Sequence, residues 1–255
     1  MESEPQNMNL CICAATDKSG KQTNQDAYGF SDGCEIIQSM GKNHVSHQKK
    51  YDGADEFLAV VSDGVSLADH TENTEDDAAV LQTQKVLNDH FDEFSLESSM
   101  PLIADEINDT IIHASERLDK KLAAAVTVIG VYPHEIKILS IGDCAAIEFR
   151  KGKSTVITPL SASSVLSDYA GNTDCPGHKM ADIYRLKPEP EDIYMVASDG
   201  LIKGFTDPDG HVRTDGMLEL FKKADCNAEA LINEAKKKSK DNLTVCVIQI
   251  EDIQH

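Results

Sequence analysis

The chain has 255 residues, and its 44 acidic side chains outnumber the 24 basic ones, which gives a formal net charge of −20. This length fits one large domain, and no segment approaches the roughly 20 apolar residues that a transmembrane helix needs. The acidic charge argues against a nucleic-acid partner, because a phosphate backbone attracts basic surfaces. We expect one domain over residues 1–255 with no nucleic-acid or membrane partner, and we favour a monomer.

Cysteine usage and the first residues indicate the compartment. The seven cysteines include no Cys-x-x-Cys pair, and several lie in apolar, strand-like runs, where cysteine usually acts as a small hydrophobic residue. Residues 1–9 have neither the basic start nor the apolar stretch of a signal peptide. The sequence therefore predicts reduced thiols and a cytoplasmic location.

The first elements are two strands and a polar segment. Apolar alternation predicts a strand over Leu10–Ala15, and Asn24–Phe30 begins a second strand with an acid near its start. Residues 38–55 are polar, so we expect an exposed loop. His44 and His47 lie in this loop without a third candidate ligand, and we expect them to be solvated rather than bound to a metal.

Two helices are predicted next. Thr74, followed by three acidic residues, is a typical helix start, and apolar residues at helical spacing continue to Phe91. Pro101 opens a second helix whose apolar face extends to Ile112. We expect both helices to pack on the core.

The middle of the chain contains mainly strands. Three apolar runs, Ala123–Tyr132, Ile136–Ile141 and Cys144–Arg150, are separated by Pro133-His134 and by Gly142-Asp143. Both dipeptides favour turns, so we expect both to connect hairpins. These three runs therefore predict consecutive antiparallel strands.

The last third of the chain begins with a segment over about residues 159–180 that has little periodicity and predicts an irregular surface excursion. A strand ending at Asp199 follows, then helices over about 213–223 and 227–238, and a final strand over Leu243–Ile250. Helices grouped between hairpin-connected strands favour an α+β layered domain over a doubly wound parallel sheet.

Two strand ends have nearly the same sequence. Phe57–Gly64 and Ile193–Gly200 are apolar runs that both end in Ser-Asp-Gly. A buried strand that stops at an aspartate sets a carboxylate at the rim of the core, and the glycine lets the chain turn or lets its carbonyl approach a ligand. Two such rims brought together would form an oxygen-only site suited to hard divalent cations.

Aspartates recur at the edges of predicted strands. The five are Asp26, Asp63, Asp143, Asp199 and Asp241. Four of them neighbour a glycine or an asparagine, and one such dipeptide alone is an ordinary turn. Repetition at strand ends favours a metal site, and a set without histidine or cysteine points to Mg²⁺ or Mn²⁺ rather than zinc. Two such ions can activate a water toward a phosphorus centre.

Five motifs, in this order, carry a resemblance to a known family: Asn24-Gln25-Asp26-Ala27, Val61-Ser62-Asp63-Gly64, Ser140-Ile141-Gly142-Asp143, Ala197-Ser198-Asp199-Gly200-Leu201 and Asp241-Asn242-Leu243-Thr244-Val245. With them the chain resembles the metal-dependent protein phosphatases of type 2C, particularly the compact bacterial members. The resemblance covers nearly the whole chain. It implies a β-sandwich of two antiparallel sheets flanked by helix pairs, in αββα layers, with a flap at about residues 159–180.

The resemblance also implies an activity and a site. A phosphorylated protein would be the substrate, and a metal-activated water would hydrolyse its phosphoserine or phosphothreonine. Asp63 would bridge two Mn²⁺ or Mg²⁺ ions, with the Gly64 carbonyl on one ion, and with Asp199 and Asp241 on the other. Asp143, together with Asp199, would match the ligands of a third, weaker ion. In this comparison Asp26 would orient the attacking water.

The family's arginine two positions after the glycine-aspartate motif is replaced by Ala145 or Ala146, and two further departures from the family pattern bear on activity. Lys21 stands where the family usually has an arginine that grips the substrate phosphate, and lysine cannot form the same bidentate fork. Val65-Ser66-Leu67 replaces the family's glycine-rich continuation, and Val65 cannot serve as the general acid proposed for some members. These departures keep open a phosphatase-like binding or regulatory module with little turnover. A domain whose Asp-containing turns are purely structural is a third alternative.

Overall fold

Two six-stranded antiparallel sheets form the centre of the described part of the chain. The computed structural model describes residues 7–32, 35–39, 41–64, 83, 85–89, 94, 99–160 and 168–254. In chain order its strands are β1 (Asn7–Asp17), β2 (Asp26–Asp32), β3 (Glu35–Gln38), β4 (His44–Ala54), β5 (Phe57–Gly64), β6 (Ala124–Val131), β7 (Ile136–Ile141), β8 (Ala145–Arg150), β9 (Lys153–Val156), β10 (Asp182–Leu186), β11 (Ile193–Ala197) and β12 (Leu243–Gln254). The first sheet has the order β4-β1-β12-β11-β8-β9, and the second has the order β10-β7-β6-β5-β2-β3.

Helices cover the outer faces of both sheets. The described helices are α1 (Met100–Leu118), α2 (Gly177–Met180), α3 (Asp199–Gly204), α4 (Thr214–Lys223) and α5 (Ala228–Ala235). Apolar residues of α1 pack on the second sheet, and those of α3, α4 and α5 pack on the first. The predicted α+β sandwich in αββα layers is confirmed.

Strand β1 is apolar at most of its positions because both of its faces are buried. Leu10 and Ile12 belong to the core between the two sheets, whereas Cys11 and Cys13 belong to the core between the first sheet and its helices. Successive side chains of a strand point to opposite faces, so a strand covered on both sides needs apolar residues at every position. The six cysteines of the described ranges are free thiols.

Two sequence predictions about connections are wrong. The polar segment 38–55 is not a loop, because most of it forms β4, which pairs with β1 at the edge of the first sheet. Its partly exposed side chains, which include Lys49 and Lys50, suit an edge strand. Gly142-Asp143 does not connect a hairpin, because β7 and β8 belong to different sheets. The chain crosses between the sheets there.

Other elements were predicted correctly, missed, or lie partly outside the described residues. The Pro133-His134 hairpin is confirmed, since β6 and β7 pair antiparallel. Of the helix predicted from Thr74 to Phe91, only 83 and 85–89 are described, and they are helical. Strands β3, β9 and β10 and the short helices α2 and α3 were not predicted. Within the described ranges, no helix is long and apolar enough to cross a membrane.

Candidate metal centre

The five aspartates predicted from the strand ends lie in one cluster. Asp26 is the first residue of β2, and Asp63 is the penultimate residue of β5. Asp143 and Asp199 each follow the last residue of a strand, β7 and β11, by two positions, and Asp241 precedes the first residue of β12 by two positions. Asp199 contributes electrostatic repulsion that raises the pKa values of Asp26, Asp63 and Asp143. The structure therefore brings together all the acidic side chains that the sequence singled out.

Asp26 and Asp63 are direct partners in the antiparallel pairing of β2 with β5. Like charges placed opposite each other in a sheet are destabilising, and the Asp26 side chain is only 2% exposed. Burial, followed by repulsion from Asp199, raises the pKa of Asp26 to about 7, although a hydrogen bond from Ser198 opposes the rise. Burial and repulsion from Asp26 hold the pKa of Asp63 well above its usual range.

Asp143 lies where the chain crosses from one sheet to the other. Gly142 makes this crossing with a φ of +94°, and a Cβ there would lie 2.7 Å from the Cβ of Ala125. The conformation and the close approach both require glycine. Burial first, and then Asp199, raise the pKa of Asp143 to about 6. The predicted Gly-Asp motif thus sets a carboxylate beside the pair formed by Asp26 and Asp63.

Asp199 and Asp241 are held by lysines. The Nζ atom of Lys203 lies 2.6 Å from Oδ2 of Asp199 and 3.0 Å from Oδ2 of Asp241. The Nζ atom of Lys21 lies 3.3 Å from Oδ1 of Asp241. Burial alone would raise the pKa of Asp241, but the two ammonium groups outweigh it, and this pKa lies below its ordinary value.

The asparagines of the first and last motifs hold the loop that contains Lys21. Oδ1 of Asn242 accepts a hydrogen bond from the backbone N–H of Gln25, and its Nδ2 donates to the carbonyl oxygens of Lys18 and Thr23. Nδ2 of Asn24 donates to the side-chain oxygen of Thr16 and to the carbonyl of Lys42. Asn24 and Asn242 are both buried. These bonds fix the loop between β1 and β2 beside Asp241.

The late Ser-Asp-Gly motif connects β11 to the cluster. Ser198 pairs with Thr244 of β12 through both its backbone N–H and its hydroxyl, and the same hydroxyl is hydrogen-bonded to Asp26. A Cβ at Gly200 would overlap the carbonyl oxygen of Asn242, so only glycine allows this approach. Asp199 can therefore begin α3 directly against the start of β12.

The segment after residue 167 is fixed close to the same edge. Ala170 forms an isolated bridge with Ala124, which is the partner of Gly64 in the pairing of β5 with β6. Asn108 of α1 accepts hydrogen bonds from the backbone N–H groups of Gly171 and Asn172 and donates to the carbonyls of Asn172 and Cys175. This return segment of the predicted flap is anchored to α1. Residues 161–167, and also Val65–Leu67, lie outside the described residues.

The two histidines that were weighed as metal ligands, His44 and His47, lie in β4 and contact other side chains. His44 Nδ1 lies 2.8 Å from Oδ2 of Asp17, and His47 Nδ1 lies 2.5 Å from the hydroxyl of Tyr28. Lys203, the side chain that joins Asp199 to Asp241, was not among the predicted site residues. Its spacing of four residues from Asp199 on a helix was the available signal, but no helix was predicted there.

The cluster suits a hard divalent cation in its donor chemistry. It offers only oxygen donors, and Oδ2 of Asp26 is buried without a hydrogen-bond partner. A cation among these carboxylates would relieve the repulsion that raises three of their pKa values. Among the described residues, no group of three or more His, Cys, Asp or Glu side chains is arranged to hold an ion as they stand. Asp199 and Asp241 contact Lys203 instead.

Comparisons with known proteins support the architecture. No family model matches the chain, and no curated protein matches it. The chain is similar to the catalytic domain of the serine/threonine protein phosphatase PstP in complex with two manganese ions, at 18% identity and a TM-score of 0.68, with 95% of this chain and 100% of that one covered. It is also similar to a serine/threonine phosphatase of S. agalactiae (17%, TM-score 0.72, 95% and 100% covered) and to Stp1 of Staphylococcus aureus (15%, TM-score 0.72, 99% of both chains). The chain thus has the fold of the bacterial serine/threonine phosphatases of type 2C.

Proposed function

We propose that the protein is a serine/threonine phosphoprotein phosphatase that depends on Mn²⁺ or Mg²⁺. One observation carries the proposal: five carboxylates converge at one edge of a type 2C phosphatase fold, three of them with raised pKa values. Repelling carboxylates at a partly exposed rim are costly unless a cation joins them. The manganese ions of the PstP complex support the same class of cofactor.

In this proposal five residues supply the ligands of the metal ions. Asp63, the Gly64 carbonyl, Asp199 and Asp241 hold two ions, and Asp143 completes a third, weaker site together with Asp199. When bound, the ions would supply a nucleophilic water near neutral pH and would offset the charge of a phosphate.

Other side chains prepare the reacting groups. Asp26 is buried and bonded to Ser198, so it can orient a water without leaving its place. Lys21, which is 40% exposed beside Asp241, can reach toward a substrate phosphate as a point charge. A phosphorylated serine or threonine of a protein is the proposed substrate.

The test uses p-nitrophenyl phosphate and a phosphothreonine peptide, with EDTA-treated protein titrated with Mn²⁺ or Mg²⁺. We expect turnover that requires the ion and that falls at least 100-fold in Asp63→Asn and Asp199→Asn, because each change removes an ionic oxygen ligand. Asp52→Asn alters an exposed carboxylate of β4 and should leave turnover unchanged. Full activity in EDTA, or in Asp199→Asn, would rule out the proposed mechanism.

A phosphatase-like binding module is the second candidate. Lys21 favours it, because this lysine replaces the expected arginine and is paired with Asp241. The deciding comparison is between wild type and Lys21→Arg at saturating Mn²⁺. If calorimetry shows bound Mn²⁺ but neither protein turns over a phosphopeptide, the binding module is favoured. A gain of turnover in Lys21→Arg supports the enzyme.

A further inference from the structure

Lys203 lies between two of the proposed metal ligands. It follows Asp199 by one turn of α3, and its ammonium contacts the Oδ2 atoms of both Asp199 and Asp241. The two carboxylates come from different parts of the chain. Asp199 is the first residue of α3, and Asp241 lies two residues before the start of β12. A single positive charge of the protein itself therefore joins them.

The cluster is divided into two unequal halves. Both oxygens of Asp241 contact an ammonium, Oδ2 that of Lys203 and Oδ1 that of Lys21. Among the described residues, by contrast, no lysine or arginine forms an ion pair with Asp26, Asp63 or Asp143. An ion near Asp63 meets carboxylates that are not in contact with a lysine or arginine, whereas an ion on Asp199 and Asp241 meets carboxylates that already contact ammonium groups.

We propose that Lys203 is an internal cation that competes with the divalent metal ion for Asp199 and Asp241. This inference rests on the proposed metal dependence. An ion that binds the Oδ2 atoms of both carboxylates must displace Lys203 from them, so Lys203 lowers the affinity of this half of the cluster. The half that contains Asp63 fills first, and Lys203 sets the concentration at which the second ion binds.

The surroundings of Lys203 allow such an exchange. Its side chain is 55% exposed, whereas its neighbours Leu201 and Ile202 are buried against the first sheet and its helices. The backbone of α3 can thus stay in place while the lysine side chain turns toward solvent. Helices α3 and α5 pack closely, since a Cβ at Gly204 would overlap the Cβ of Ala235. This packing holds the backbone of α3 in place.

The first test measures Mn²⁺ binding to EDTA-treated protein by titration calorimetry. We expect two phases in wild type and, in Lys203→Met, a second phase that is about tenfold tighter, the size expected when two half-exposed ion pairs need no longer be broken. Lys203→Arg keeps the cation and should keep the weak phase. Lys222→Met removes an exposed lysine of α4 and should bind as wild type does.

The second test follows Lys203 directly by acetylation with an amine-reactive ester and mass spectrometry. We expect acetylation of Lys203 to rise several-fold at saturating Mn²⁺, because the released amine faces solvent, while acetylation of Lys222 stays constant. Equal Mn²⁺ affinities in wild type and Lys203→Met, or unchanged acetylation of Lys203, would overturn the competition while leaving metal dependence intact. Absence of Mn²⁺ binding to every variant would overturn both proposals.

Discussion

Replacing Asp26 with asparagine should stabilise the metal-free protein. The Asp26 side chain is 2% exposed, lies opposite Asp63 in the sheet, and has a buried Oδ2 without a hydrogen-bond partner. Asparagine has nearly the same shape, can still accept the hydroxyl of Ser198, and can donate to Asp63. The substitution therefore removes a charge with little change in packing.

The size of the effect follows from the pKa of Asp26. Burial, with repulsion from Asp199, raises this pKa from 3.8 to about 7. Each unit corresponds to about 1.4 kcal/mol, so keeping Asp26 in the folded, metal-free protein above pH 7 costs on the order of 4 kcal/mol. For a chain of this size the change amounts to roughly 10 °C in Tm.

The pH dependence has a defined sign. Between about pH 4 and pH 7 the folded protein retains a proton on Asp26 that the unfolded chain has lost, so the free energy of unfolding of wild type falls as the pH rises through this window. Above about pH 7 the penalty is complete. The advantage of Asp26→Asn should therefore be largest at pH 8 and less than half as large at pH 5.

Urea unfolding in EDTA at pH 5 and pH 8 measures this difference. Asp52→Asn makes the same charge change at an exposed position of β4 and should stay within about 0.5 kcal/mol of wild type. A lack of any gain in Asp26→Asn at pH 8 would refute the inferred repulsion. A gain of equal size at both pH values would show that packing, and not charge, is responsible.

Two further substitutions test the scaffold around the cluster. Gly200→Ala should lower the free energy of unfolding by about 3 kcal/mol, because the new Cβ would overlap the carbonyl oxygen of Asn242. Gly216→Ala on α4, where a Cβ has room, should be neutral or stabilising in the same urea titration. Equal effects of the two substitutions would contradict the close approach at Gly200. Asn108→Ala removes the side chain that holds residues 171–175, so it should cost about 2 kcal/mol and speed amide hydrogen exchange in that segment, and unchanged exchange would contradict the anchoring.

The sequence predicted strands well where both faces are buried. Leu10–Ala15 and Leu243–Ile250 were found because strands covered on both sides are apolar throughout, and the structure extends each of them by a few residues. Strands β4, β9 and β10 lie at sheet edges, where one side of the backbone is unpaired and polar side chains are favoured. Edge strands therefore look like loops when hydrophobicity is the main signal.

The crossing at Gly142-Asp143 could not be recognised from local sequence. A glycine-aspartate dipeptide between two apolar runs is also typical of a hairpin. The two cases differ only in which sheet the second strand joins, and that depends on tertiary packing. The close approach of Gly142 to Ala125 is a contact between residues that are distant in sequence.

The acidic side chains of the candidate site were predictable, but their counter-charges were not. One aspartate in a turn after an apolar strand is ordinary, but five aspartates at the edges of predicted strands form a recurring pattern that the sequence shows directly. Lys203 lies in a short helix with no strong periodicity, and an isolated lysine is usually solvated. Its role depends on the contact between Lys203 of α3 and Asp241. These two residues are distant in sequence, so no local pattern predicts the contact.

Positive charge is distributed unevenly over the cluster of aspartates. Lys203 and Lys21 contact Asp241, and its pKa falls below its ordinary value. Burial and repulsion between carboxylates raise the pKa values of Asp26, Asp63 and Asp143, which form no ion pair with a lysine or arginine among the described residues. The cost of five converging carboxylates is thus concentrated around Asp63. A divalent ion gains most by binding where that cost is largest, so the first ion to bind should produce the larger rise in Tm and the second ion the smaller one.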